Sequence, residues 1–72
     1  MFDLDEIKHF YNVLDLLKKF NIYIHLGNRL DDLKLAEVEL NRLFRANLID
    51  RDIYLRSMTI VKSEIRKEEN NE

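Results

Sequence analysis

The chain has no cysteine, no proline and a single glycine, Gly27. Without cysteine there is no disulfide framework and no thiol chemistry, and a reducing compartment suits the chain. Without proline, helices have nothing to break them except turn residues of other kinds. One glycine, with no GKS or GKT, excludes a phosphate loop. No stretch approaches the roughly 20 apolar residues needed to span a bilayer. The opening "MFDLDEIKHF" is acidic and lacks a long apolar run, unlike a signal peptide. A net charge of −2 excludes the strongly basic balance of a typical duplex-DNA binder, so any nucleic-acid site must be a local patch. The expectation is a soluble, cytoplasmic protein with no membrane contact.

What remains is 46% hydrophobic and 36% charged, the balance of a folded domain rather than a disordered one. Seventy-two residues make one domain. A chain of that size buries only about 60% of its unfolded surface, so its stability margin is thin and self-association is a common remedy.

Apolar residues recur at three- and four-residue intervals in three blocks, which predicts an all-α three-helix bundle. The first helix is expected over about 3–20, with Ile7, Phe10, Tyr11, Leu14 and Leu17 as its stripe and Val13 and Phe20 on the flank. Asp3 and Glu6 suggest a capping box, and Phe2 and Ile7 a hydrophobic staple. The second is expected over about 29–47, with Leu30, Leu33, Ala36, Leu40, Leu43 and Phe44 on one face and Asn28 as cap. The third is expected over about 51–67, capped by Asp50, with Ile49 and Tyr54 as a staple. Tyr54, Met58, Val61 and Ile65 form its stripe, widened by Ile53 and Ile60. The polar tail at about 68–72 should fray. The short "NLID" link makes the second and third helices antiparallel neighbours.

Residues 21–28 do not fit a helix. Asn21 tolerates the left-handed conformation that ends helices. Ile22, Ile24 and Leu26 alternate with Tyr23 and His25, as in an extended connector with its aliphatic side chains turned inward. Gly27 supplies the turn into the second helix.

Five constellations bear on function. Gly27, Asn28 and Arg29 precede a helix N-terminus, where backbone N–H groups attract anions. Asp31 and Asp32 already occupy that end, however, so capping is the better account. Asp5 with His9, or His25 with Asp31 or Asp32, have neither the ligand count nor the supporting shell of a metal site. No metal or cofactor is therefore expected. Glu37 falls among Leu33, Leu40 and Phe44. A carboxylate there either finds a partner if buried, with Tyr23 and Arg29 in sequence reach, or snorkels out to water; the sharper reading is a general base. With no nucleophile or oxyanion device beside it, an enzyme is not expected.

The fourth constellation is basic. Arg56, Thr59, Ser63 and Arg66 share one face of the third helix, flanked by Arg51, Lys62 and Lys67. Lys18, Lys19, Arg42 and Arg45 extend the charge from the other helices. Arginines with hydroxyls suit a phosphate backbone, and Tyr23 is the candidate stacking platform. The fifth is apolar: Leu35 and Val38 point away from the second helix's stripe and Leu55 away from the third's, a modest surface for a protein partner or a second copy.

The segments "FYNVLDLLKKF", "GNRL", "AEVELNRLF" and "LIDRDIY" together resemble the YqgQ-like family of small bacterial proteins, over nearly everything from Phe10 to Lys67. The resemblance implies a three-helix bundle. Members often carry glycine where this chain has Asn21 and aspartate where it has Asn28, swaps that keep a helix end and a cap. Arg29 in "GNRL" and Glu37 in "AEVEL" are family-typical. The family has no characterised activity. A role in binding single-stranded nucleic acid has been suggested for it from a positively charged surface, and the resemblance implies such a role here.

Two expectations follow. One is a non-enzymatic module for single-stranded nucleic acid, using Lys18, Lys19, Arg29, Arg45, Arg56, Lys62 and Arg66 on phosphates and Tyr23 on a base, with Glu37, Asn28 and Asp50 as structural polar residues. The alternative is a protein–protein adaptor or self-dimer through Leu35, Val38 and Leu55.

Overall fold

Side-chain caps start two of the helices of this chain, and asparagines in the left-handed region end two of them. A computed structural model describes residues 3–70. It contains three helices: α1 over Phe10–Lys18, α2 over Arg29–Arg45 and α3 over Arg51–Asn70, preceded by a 3-10 turn over Leu4–Glu6. Among the described residues there is no strand. The architecture is the all-α three-helix bundle that the spacing predicts.

The caps of α2 and α3 are the expected ones. Asn28 Oδ1 accepts the Asp31 N–H at 3.0 Å and Asp50 Oδ1 accepts the Ile53 N–H at 2.8 Å, each satisfying a donor that has no partner inside its helix. The two helix ends are also alike. Asn21 and Asn47 have φ of 62° and 60°. In each case the next residue donates back five positions, Ile22 N–H to Leu17 O and Leu48 N–H to Leu43 O, both at 3.0 Å. These are Schellman closures, built with asparagine in place of glycine. The second closure stops α2 at Arg45, slightly earlier than the apolar spacing suggests. At the other end of the chain α3 continues as helix to Asn70, beyond the expected boundary at 67.

The start of α1 differs from the sequence reading. Asp3 makes no side-chain cap, and the chain leaves the 3-10 turn in extended conformation at Ile7. The helix begins only at Phe10. Asn12 supports this late start, its Oδ1 accepting the N–H groups of both Lys8 (3.1 Å) and His9 (2.9 Å). Ile7 is fully buried from this extended position rather than from a helical face. The buried face of α1 is therefore Phe10, Val13, Leu16 and Leu17, and Tyr11 rotates out to 62% exposure. The Phe2–Ile7 staple involves a residue outside those described.

The connector behaves as a joint. Gly27 has φ +85°, and Asp32 Oδ1 accepts the Leu26 N–H at 2.7 Å, tying the strap to the first turn of α2. Ile22 and Ile24 pack against the core. Leu26 does not, since this tie beside the glycine turn leaves its side chain exposed.

α2 and α3 make the most extensive pairing and run antiparallel: Arg29 at the start of α2 reaches Glu64 late in α3, while Tyr54 early in α3 donates its hydroxyl to Asn41 Oδ1 late in α2. The Phe44 and Tyr54 rings stack there at 4.2 Å. Leu33, Ala36, Leu40 and Leu43 of α2 meet Ile53, Met58 and Val61 of α3, with α1 closing the third side. No helix among the described residues is long and apolar enough to cross a membrane.

Candidate nucleic-acid interface

The late start of α1 opens a groove between its first turn and α3. The groove is about 560 Å³ in volume. Phe10, Leu14 and Ile60 supply its apolar wall; Lys8, Arg29 and Lys67 supply cations; Thr59 and Ser63 supply hydroxyls; His9 and Tyr11 supply rings; and Glu64 is its one acid. Three elements contribute, because Arg29 reaches in from the first residue of α2.

The groups are ordered by one another. His9 and Tyr11 stack at 5.2 Å between centroids with planes 15° apart, so two rings present a platform where a single exposed tyrosine would rotate freely. The Arg29 guanidinium lies 5.4 Å from the centre of the buried Phe10 ring, a cation–π contact. It also donates to Glu64 Oε1 at 2.9 Å, and Lys67 Nζ donates to Glu64 Oε2 at 3.0 Å. The Lys67 and Arg29 donors hold the Glu64 carboxyl below the ordinary glutamate range. Thr59 Oγ1 gives its proton to Leu55 O at 2.8 Å, so the groove's hydroxyl donors are half-buried Ser63 and the Tyr11 phenol. The arrangement offers a stacking surface, cations and hydroxyls within one cleft.

A profile of the YqgQ-like family matches residues 7–67. The chain belongs to the YqgQ-like family. The matched YqgQ-like segment takes in every residue that lines the groove, from Lys8 to Lys67. No curated protein and no solved structure matches the chain.

Within this YqgQ-like domain the residues singled out by sequence fall in several places. Arg29 lines the groove, as do Thr59, Ser63 and Lys67. Arg56 lines an adjoining depression with Leu4, Asp52 and Leu55 that shares Thr59 with it. Lys18 faces Asp15 at 4.0 Å. Lys19 borders a separate, mostly apolar cleft formed by Leu16, Phe20, Leu48, Ile49 and Ile53. Arg45 lies beside Val38, Asn41 and Arg42. Arg66 is exposed on α3, and Tyr23 is exposed on the connector. Lys62 is paired with Glu37 at 3.8 Å. Glu37 is half-buried, and its carboxylate reaches the edge of the bundle to pair with Lys62 on α3, not with Tyr23 or Arg29. Val38 and Leu55 are exposed, in different depressions, while Leu35 is partly covered.

No cluster of three or more His, Cys, Asp or Glu is placed to hold a metal ion among the described residues. Asp32 is engaged by the Leu26 N–H and His9 by the Tyr11 ring. The groove residues that sequence reasoning missed are Lys8, His9, Tyr11 and Glu64. Tyr11 was hidden by the phase of α1, and the Arg29–Glu64 pair by its separation of 35 residues.

Proposed function

We propose that this YqgQ-like protein is a cytoplasmic, non-enzymatic module that binds single-stranded nucleic acid in the groove between α1 and α3. The observation that carries this reading is the union, in one cleft, of the stacked His9–Tyr11 pair with Lys8, Arg29 and Lys67. A splayed base stacks on the rings, and its flanking phosphates meet the cations and Ser63. The platform is Tyr11, because it lines the groove together with Lys8, Arg29 and Lys67 and is stacked on His9. Duplexes are disfavoured, since their bases are already stacked and the chain's acidic balance offers no broad positive surface.

Fluorescence anisotropy with labelled single strands of about ten nucleotides tests the reading. Binding should weaken severalfold or more between about 50 and about 200 mM salt. Tyr11→Ala should cost roughly five- to a hundredfold, the range of one lost base stack, while a duplex of the same sequence binds more weakly. Flat titrations, or a Tyr11→Ala protein that binds like the parent, would remove the reading.

A further inference from the structure

Glu64 binds two of the groove's cations at once. Its two oxygens take one hydrogen bond each from Arg29 and Lys67, at 2.9 and 3.0 Å. Two non-bridging oxygens of a phosphodiester form the same pair of charge-assisted bonds. Among the described residues Glu64 alone is paired with two cations at once. Arg29 does not depend on it for position, because the guanidinium also rests over the buried Phe10 ring. Withdrawal of the carboxylate therefore leaves the cation aimed into the groove. The Glu64 side chain retains 24% exposure, so a rotamer change carries the carboxylate into water without crossing the core.

We propose that Glu64 is a built-in counter-anion, holding Arg29 and Lys67 in the free protein and giving them up to a phosphodiester of the bound strand. The proposal rests on the nucleic-acid reading above and adds a selection rule to it. A lone anion gains little by displacing Glu64, since one pair of bonds merely replaces another. A nucleotide segment gains as well, because it brings a base to the His9–Tyr11 platform at the same time. Glu64 thereby sets the groove against free phosphate and in favour of ligands that stack and pair together.

Two measurements test the exchange. In anisotropy, Glu64→Gln, which keeps the side chain's size, should bind the single strand about tenfold more tightly at low salt, the scale of one close charge interaction near a surface. The gap should narrow as salt screens it. Inorganic phosphate should compete with the strand at lower concentration on Glu64→Gln than on the parent. In the parent protein itself, carbon NMR of the Glu64 carboxyl should move to the value of a solvated carboxylate as the strand saturates. A parent that binds while Glu64→Gln binds equally or less well overturns the exchange and leaves the nucleic-acid reading standing. So does a Glu64 signal that stays put at saturation. If neither protein binds at low salt, both proposals fall together.

Discussion

Among the described residues Ser57 is the one polar side chain in the core, fully buried and with its hydroxyl oxygen unpartnered. A buried hydroxyl without a hydrogen bond forfeits its hydration and recovers nothing in exchange. Ser57→Ala is therefore expected to stabilise the protein by about 1 kcal/mol, which raises the melting temperature of a domain this size by about 4–8 °C. A thermal melt that drops instead would mean the hydroxyl is bonded in solution. Single residues also show where sequence reading succeeds and where it stops. Asn28 and Asp50 are legible because a cap reaches only three residues along the chain. Tyr11 is not, because apolar residues at 7, 10, 11, 13, 14, 16 and 17 fit more than one helical phase, and only the break at Ile7 selects the phase that buries Val13 and Leu16. Nothing local to Glu37 names Lys62, and nothing local to Glu64 names Arg29, since those partners are chosen by the pairing of α2 with α3.

At the scale of elements, both helix-to-loop exits use asparagine in the left-handed region, so the chain turns its corners with a single glycine, Gly27. The Asn21 exit is visible in sequence because a strand-like alternation follows it, and the Asn47 exit is masked by the apolar pair Leu48–Ile49. Between elements, the tie from Arg29 on α2 to Glu64 on α3 makes stability depend on pH. Bonding to Lys67 and Arg29 lowers the folded-state pKa of Glu64 below its ordinary value of 4.5. A depressed folded pKa means the contribution is complete above 4.5 and is lost as pH falls through the lower folded value. The melting-temperature difference between the parent and Glu64→Gln should accordingly hold steady from neutral pH to about 5 and collapse at more acid pH. A difference that persists undiminished in strong acid would show that the tie adds nothing to folding.

For the whole molecule, the fold is a helical hairpin of α2 and α3 with a short α1 laid across it, 37 Å in its longest dimension. The groove owes its shape to an α1 of only nine residues: had the helix begun at Asp3, Lys8 and His9 would be helical rather than extended ahead of it. The hairpin carries a kinetic consequence as well. Its seam is closed by the few residues between Arg45 and Arg51, whereas α1 must be recruited across the longer connector. Short loops close at lower entropic cost, so the α2–α3 seam should organise first and α1 dock last. In stopped-flow refolding, Leu40→Ala should chiefly slow the folding arm and Val13→Ala chiefly quicken the unfolding arm. The reverse assignment would mean that α1 belongs to the nucleus. If α1 docks last and is the first piece released, the groove it walls should open ahead of the α2–α3 seam under thermal fluctuation, exchanging its amide protons faster than the seam does.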